Sequence, residues 1–376
     1  MALFHKKAQK TGIAAEESRY METQWQLMWR KFKKHKLAMT GLVILIILYT
    51  LGIFCEFFAT QDMAKRSTKA ISMPPTSIHF VDENGNFSLR PFVYGLKQEE
   101  DPETWEKYYV EDTSKKYYLE FFYHGDPYKL LGFIPGDVHL FGTSEPDVFF
   151  PFGTDSSGRC LYSRVLSALR ISLSTGLVGV FFTFILGCIF GGISGYYGGK
   201  VDTVIQRIVE FLMSMPSIPL WMALAAAFPI TWSSLQKYFA ITIILSMIGW
   251  TGLARVVRGK LLELRNEDFV TAAKVSGASD GYIIRKHLLP SFASYLIVNV
   301  SLAIPSMILS ETSLSFLGIG LSAPIVSLGV LLQDAQSVST IALYPWLMIP
   351  GLFVVIAVLA FNFVGDGLRD AADPYK

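Results

Sequence analysis

Two short stretches of the sequence contain residue types that could do chemistry. GYYGGK, at residues 195–200, has the glycines and the lysine of a phosphate-binding loop, but its spacing differs from that motif. Three residues instead of four separate Gly195 from the Gly199–Lys200 pair, and Val201 stands where Ser or Thr is required. Glu311 lies at the end of an apolar run. A proton-coupled carrier would use such a carboxylate, but its coupling site would also need several other polar groups within the spans. We interpret the first stretch as a tight turn and expect a structural or interface role for Glu311.

Catalytic and metal-binding motifs are not recognisable elsewhere in the sequence. The six histidines lack metal-ligand spacing, the three cysteines stand far apart, and neither a nucleophile elbow nor a paired-histidine helix occurs. We therefore expect no catalytic residues, no metal site and no cofactor bound by this chain.

The composition is that of an integral membrane protein. Of the 376 residues, 51% are apolar, and uncharged runs recur near the length that crosses a hydrocarbon core, about 20 residues. These runs are rich in Leu, Ile, Val, Phe and Gly and lack the alternation of a lipid-facing strand, which favours helices over a barrel. The sequence thus predicts an all-α polytopic membrane protein.

The first apolar run follows a basic segment. Residues 1–36 contain nine Lys or Arg and three Glu, so we expect them to be cytoplasmic. Residues 37–58 form the first transmembrane helix, an uncleaved anchor because no small-residue cleavage site follows. Residues 59–164 then lie outside the cytoplasm, and an Asn-Gly turn signal between apolar flanks predicts short β-strands in this insertion.

Five further spans are predicted within residues 165–376. We place them at about 171–195, 211–228, 238–254, 291–310 and 343–365. Pro216 and Pro219 interrupt the second of these five, which membrane helices tolerate when neighbours satisfy the freed carbonyls. Two glycines and Pro324 break the uncharged stretch 312–333, so we interpret it as an outer re-entrant or surface segment rather than a seventh span. Six spans place both termini in the cytoplasm.

The loop 255–290 connects two spans and has its own helical pattern. Seven Lys or Arg against four acids within residues 255–287 agree with a cytoplasmic position. Asp268 is expected to cap a helix in which Ala272, Ala273, Ser276 and Gly277 leave a face of small side chains. Such a face suits close approach of another protein; a helix resting on lipid headgroups would have larger apolar residues opposite its lysines. The periodicity alone leaves both interpretations open.

Several motifs, in order, resemble those of ABC importer permeases. TAAKVSGASDGYIIRKHLLP is similar to the cytoplasmic EAA loop of that family, with Thr271 in place of the glutamate and His287 in place of the isoleucine. FGTDSSGR, GYYGGKVD, ETSLSFLGIG and FNFVGDGLRDAADP resemble further family signatures, with Cys160 where Asp is typical. The combination is similar to the C-type permease subunit of oligopeptide and dipeptide importers, in a variant with a long extracytoplasmic loop.

The resemblance implies a fold, a location and partners. The fold is that of a type I ABC importer permease with six transmembrane helices, in the cytoplasmic (inner) membrane of a bacterium. The expected partners are a second homologous permease subunit, two ATPase subunits that bind ATP and Mg, an extracytoplasmic substrate-binding protein and membrane lipid, without nucleic acid. The expected ATPase-coupling residues are Thr271, Ala272, Ala273, Lys274, Gly277, Asp280 and Gly281. The translocation-path candidates are Ser214, Ser217, Asn299 and Ser306.

The expected function is that of a transport subunit and not of an enzyme. The chain would form half of the translocation path for peptides and couple to ATPase subunits through the loop around 268–290. The alternative is a proton-coupled secondary transporter or a channel subunit. A carrier should show internal repeats and buried charges, and the sequence shows neither clearly.

Overall fold

Helices make up most of the structure, a computed structural model. It describes residues 23–373 apart from residues 101, 104, 106, 146, 230, 322 and 323. The helices are α1 (Gln24–Lys34), α2 (Lys36–Ile53), α3 (Cys55–Phe58), α4 (Leu161–Tyr197), α5 (Gly199–Ser214), α6 (Ser217–Ala226), α7 (Ser234–Leu264), α8 (Asp268–Val275), α9 (Asp280–Tyr282), α10 (Leu289–Ser291), α11 (Ala293–Phe316), α12 (Leu328–Gln333), α13 (Val338–Leu343) and α14 (Ile349–Ala372). A π-helical stretch, Ile283–Leu288, joins α9 to α10, and a 3-10 turn, Pro345–Met348, precedes α14.

Five helices within the described ranges are long and apolar enough to cross a membrane. They are α2, α4, α7, α11 and the run Pro345–Ala372 that contains α14. Helices α5 and α6 reach this length only as a pair, and they are bent by 87° at their break. The sequence predicted a single span at 211–228. The structure instead changes direction at Met215–Pro216, where Pro216 has no amide proton to donate and its ring favours a kink or a break in the helix.

The long helices α4 and α7 approach each other at backbone distance. Gly187, Gly191 and Gly195 recur every four residues along one side of α4. A Cβ placed on Gly191 would lie 2.5 Å from the carbonyl oxygen of Ala254 in α7. Small residues at this spacing let two membrane helices gain close van der Waals contact that lipid cannot replace. The glycines of α4 therefore specify a close contact between α4 and α7.

We predict that Gly191→Leu destabilises the protein by about 1–3 kcal/mol, because the new side chain overlaps the backbone of α7. Gly252→Leu is the matched control, since Gly252 is also helical but has nothing within 4 Å of an added Cβ. Thermal unfolding in detergent micelles measures both variants. A Gly191→Leu melting temperature equal to that of the control would show that the two helices are not in contact at this glycine.

The main apolar core joins α2, α4, α11, α12 and α14. The short helix α12 belongs to this core, because Leu328 and Leu331 are 0% and 1% exposed. Of the two interpretations of residues 312–333, a surface segment does not fit α12. The boundary of the preceding span is also later than predicted, since α11 continues to Phe316.

Glu311 is fully buried on α11 and bonded to serines. Ser172 of α4 donates to one carboxylate oxygen at 3.2 Å, and Ser315 donates to the other at 2.7 Å. The Ser172 hydroxyl also accepts the backbone N–H of Leu328 at 3.1 Å. This arrangement ties α4, α11 and α12 together and agrees with the structural role expected for Glu311.

The insertion predicted at residues 59–164 contains a four-stranded antiparallel sheet in sequence order. Its strands are β1 (His79–Val81), β2 (Phe87–Glu100), β3 (Lys107–Leu130) and β4 (Ile134–Thr143). Strand β3 pairs with β2 through its first half and with β4 through its second half. The predicted strands are present, but the prediction that they are short is wrong for β3, which has 24 residues. Register shifts after Tyr94 and His124 interrupt the alternation, so the sequence pattern resembles shorter pieces.

The loop GTDSSGRC, residues 153–160, fastens the insertion to the helices. The buried carboxylate of Asp155 accepts the backbone N–H groups of Ser157 and Arg159, the Arg159 side chain at 2.7 Å, and the guanidinium of Arg164. Next to it, the Thr154 hydroxyl accepts the backbone N–H of Met73 at 2.7 Å. The loop thus connects the start of α4 with the chain that leads into the sheet.

We predict that Asp155→Asn destabilises the protein by about 3–5 kcal/mol, because it removes the nearest counter-charge of the buried Arg164 and leaves only the Asp334 carboxylate, at 3.8 Å. Asp137→Asn is the control: it removes a side-chain bond at 2.9 Å to His124 whose partners are both largely exposed, and such pairs contribute little. The measurement is the melting temperature of each variant in detergent. Equal values would mean that the loop around Asp155 is not the attachment point of the insertion.

Candidate functional site: the segment between α7 and α11

The segment between α7 and α11 is held against the helices along one side. Val270, Ile283 and Leu288 are fully buried and belong to one apolar cluster with Val257 and Leu261 of α7. Aliphatic side chains buried in this way keep the segment in one position relative to α7. The opposite side of the segment faces outward and carries most of the predicted coupling residues.

Helix α8 has different ends from those predicted. Its N-cap is Glu267, which makes no side-chain capping bond, and Asp268 is the first helical residue. The prediction that Asp268 caps the helix is therefore wrong, although its charge still favours the first turn. At the other end Gly277 has φ +78°, and the N–H of Ala278 bonds to the carbonyl of Ala273 at 3.1 Å. Gly277 thus ends the helix. Its positive φ is the left-handed conformation, which glycine adopts more readily than any other residue.

The predicted coupling residues do not all lie on one face. Six of them are exposed: Thr271, Ala272, Lys274, Gly277, Asp280 and Gly281. Ala273 is half-buried and packs against the apolar cluster, so the small residues divide between two sides of the helix. The outward surface also contains three large apolar residues that the sequence reasoning missed, Phe269, Val275 and Tyr282. Val275 is 84% exposed. An aliphatic residue beside Lys274 in a polar loop was the available signal.

Asp280 and Lys274 both contact the end of α4. The Tyr196 hydroxyl donates to a carboxylate oxygen of Asp280 at 2.7 Å, and the Lys274 ammonium lies 5.0 Å from the centre of the Tyr196 ring. A cation at this distance from an aromatic face is attracted by the ring quadrupole. These two contacts link both parts of the segment, α8 and α9, to the span that precedes the α4–α5 turn.

The turn GYYGGKVD joins α4 directly to α5, as the sequence predicts for a tight turn. Asp202 accepts two bonds from the guanidinium of Arg258 in α7, at 2.5 and 2.6 Å, and one from the Ser194 hydroxyl. Arg265, at the end of α7, donates to the carbonyls of Gly195 and Tyr196, each at 3.4 Å. The ends of α4, α5 and α7 are therefore locked together beside the segment.

The four translocation-path candidates lie at two places. Ser214 and Ser217 flank the break between α5 and α6, and the Ser214 hydroxyl donates to the Phe211 carbonyl at 2.8 Å. Asn299 and Ser306 lie on α11, and the Asn299 amide donates to the Tyr295 carbonyl at 2.8 Å. Polar side chains in helices commonly bond to their own backbone in this way. The role of these residues in a path stays a prediction.

The segment presents a surface for contact with another molecule. Among the described residues, no group of three or more His, Cys, Asp or Glu could hold a metal ion. What the segment offers is an outward surface of small and apolar residues on a support that three helices share. The class that these features define is a polytopic membrane protein with an outward-facing loop segment held against its helices.

Comparisons with known proteins agree with that class. Residues 185–375 match the family model "Binding-protein-dependent transport system inner membrane component", and residues 23–75 match "N-terminal TM domain of oligopeptide transport permease C". The chain is 44% identical over 224 residues to the oligopeptide transport system permease protein OppC of Haemophilus influenzae, covering 59% of this chain and 70% of that protein. It is 30% identical over 348 residues to the dipeptide transport system permease protein DppC of Bacillus subtilis, covering 92% and 84%.

One solved structure, an inward-facing conformation of the MetNI methionine ABC transporter, is similar at 20% identity with a TM-score of 0.44. The similarity covers 55% of this chain and 96% of the other.

The fold and the matches define a multi-pass transport permease of the inner membrane. The chain belongs to the family of binding-protein-dependent transport system inner membrane components. It is a permease subunit of an ABC transporter and not an enzyme, since ATP hydrolysis in this family is carried by separate subunits. The resemblance identified in the sequence is thus confirmed.

We predict that Tyr196→Phe loosens the segment, because it removes the hydrogen bond to the Asp280 carboxylate. The loss of about 1 kcal/mol should raise the open population of residues 268–281 about fivefold. Hydrogen exchange of these residues measures the effect. Tyr282→Phe, which removes a hydroxyl from an exposed ring of the same segment, is the control. Identical exchange in the two variants would contradict a bracing role for Tyr196.

Proposed function

We propose that this chain is one of two permease subunits of an ATP-driven peptide importer, and that α8 with the turn after it docks on an ATPase subunit. The substrate class follows from relatives named oligopeptide and dipeptide transport system permeases. The docking assignment rests on one observation above the others: Val275 is 84% exposed on a segment whose opposite side is fully buried.

The outward surface suits a protein partner better than lipid headgroups. Ala272 is exposed and lies three residues from both Phe269 and Val275 on α8. A partner can therefore approach the helix backbone at Ala272 between two apolar side chains. Covering exposed apolar area stabilises a complex by about 25 cal/mol per Å². Lys274 contacts Tyr196, so the helix does not present the row of free lysines that favours anionic lipid.

The buried side of the segment explains how docking could drive transport. Tyr196 connects it to α4, Val257 and Leu261 connect it to α7, and Leu288 lies next to the start of α11. A displacement of the docked surface therefore acts on three spans together. This is the arrangement needed for a rigid-body switch between two states, in which ATP-driven closure of the ATPases changes the side on which the path is open.

The packing of the chain ends supports six crossings in a type I importer fold. Met28 and Phe32 of α1 pack with Ala371 at the end of α14, and Lys31 donates to the Asp373 carbonyl at 2.9 Å. Ends on one side of a membrane require an even number of crossings, so the bent pair α5–α6 would supply the sixth. With the basic residues near α1, both ends would be cytoplasmic.

The remaining partners follow from the same reasoning. Phe211, Met213 and Ile218, on both sides of the α5–α6 break, are 60%, 49% and 43% exposed, which is compatible with a second permease subunit covering Ser214 and Ser217. An extracytoplasmic binding protein would deliver the peptide to the outer side, where the insertion lies. ATP and Mg would be bound by the two ATPase subunits, and lipid would surround the assembly.

We predict that Val275→Asp releases the ATPase subunits, because docking would bury an unpaired carboxylate. The expected loss is about 2 kcal/mol, more than a tenfold weaker association. Val338→Asp is the matched control, since Val338 is also 84% exposed but lies on α13. Copurification of ATPase subunits in mild detergent and peptide-stimulated ATP hydrolysis are the measurements.

Retention of the ATPase subunits by Val275→Asp at the level of the control would refute the docking site. The importer proposal itself would fail if the unaltered chain copurified without any ATPase subunit and also transported peptide when reconstituted alone. That result would favour a secondary carrier. Gly277 is a poorer target than Val275, because its φ of +78° makes any larger residue strain the end of the helix.

A further inference from the structure

The turn between β3 and β4 carries apolar side chains where turns in water carry polar ones. Leu131, Phe133 and Ile134 are 46%, 71% and 47% exposed. The central residues Leu131 and Gly132 have φ of +53° and +86°, a conformation that favours Asn-Gly or Asp-Gly. A branched side chain such as Leu is unfavourable in the left-handed region. An apolar residue is therefore present at this position despite a backbone conformation that disfavours it.

The stem of this hairpin lies beside the outer ends of two spans. A cavity of about 460 Å³ has Cys55, Glu56 and Arg170 in one part of its lining and Tyr128 and Gly136 in another. The Arg170 guanidinium donates to both Glu56 carboxylate oxygens, at 2.7 and 2.5 Å. The uncharged run of α4 begins at Ile171. The Glu56–Arg170 ion pair thus marks the level at which α2 and α4 leave the hydrocarbon.

The apolar surface of the first span continues onto the hairpin. Ile53 and Phe54, at the end of α2, are 42% and 41% exposed. The next aromatic residue, Phe57, lies with its ring centre 6.3 Å from that of Phe122 in β3, and Phe122 is itself 62% exposed. Lys129 precedes the turn and is exposed. Apolar residues with a neighbouring lysine at this level match the composition of a membrane–water boundary.

We propose that the β3–β4 turn, residues 130–134, inserts into the outer leaflet of the membrane and anchors the insertion to the lipid. Burial in the acyl region would remove Leu131, Phe133 and Ile134 from water, and Lys129 would reach the lipid phosphates. The insertion would then have two attachments, the loop around Asp155 and this turn, which together fix its tilt over the spans. The proposal goes beyond the transport function and does not depend on it.

The test is spin-label accessibility in the full chain reconstituted into phosphatidylcholine liposomes. A label at Phe133→Cys should collide more with oxygen, which is concentrated in lipid, than with a water-soluble nickel complex. The control is Ser114→Cys, an exposed position of the same sheet between Asp112 and Lys115, where the nickel complex should dominate. The three native cysteines, Cys55, Cys160 and Cys188, are buried, and the unaltered chain measures their background labelling.

A second variant shows whether the label reports the turn itself. Leu131→Asn in the Phe133→Cys chain suits an aqueous turn better, so it should reduce the preference for oxygen if the turn lies in lipid. A label at 133 as accessible to nickel as the one at 114 would overturn the proposal. So would a label shielded from both reagents, because that result indicates a protein partner over the turn instead of lipid.

Discussion

The buried carboxylate of Asp155 is the interaction on which the joining of the two parts of this protein depends. It binds Arg159 and Arg164 and two backbone N–H groups, while the neighbouring Thr154 carbonyl accepts the indole N–H of Trp346 at 3.0 Å. The carboxylate fixes the shape of the loop before α4, and the loop in turn bonds through Thr154 and its backbone to residues 67–73 of the insertion and to Trp346 before α14. Removing one partner of a buried ion pair leaves an uncompensated charge, so this loop admits little variation in sequence.

Two other carboxylates also hold neighbouring helices together. Glu311 ties α4 to α11 through serines, and Asp202 ties α5 to α7 through Arg258. Apolar packing alone discriminates weakly among helix pairings in a membrane, because lipid is as apolar as a leucine side chain. Close glycine contacts between α4 and α7 and these few polar bonds therefore define which helices are neighbours. The segment after α7 packs against these helices, so the position of its outward surface depends on theirs.

The sequence predicted most of the apolar helices, the presence of strands in the insertion and the helical segment between α7 and α11, because each depends on local composition. It did not predict the 87° bend at Pro216, since proline allows both a kinked and a broken helix and the neighbours decide between them. It placed Ala272 and Ala273 on one docking face, whereas Ala273 packs inward. Helical spacing gives only the angles between side chains around the helix axis. The burial of Val270 against α7 decides which of these directions faces the rest of the protein.

The sequence by itself determined that this protein spans a membrane and which of its loops has the pattern of an ATPase-coupling segment, because hydrophobic length and motif order are properties of the chain. Only the tertiary structure decided which side of that segment is available to a partner. It also decided that Asp280 and Lys274 contact Tyr196. It likewise brought the stem of the β3–β4 hairpin next to Cys55 and Glu56, after α2, and to Arg170 of α4. These outcomes depend on contacts between separate elements of the fold, such as Tyr196 of α4 with Asp280 of α9, which no local pattern encodes.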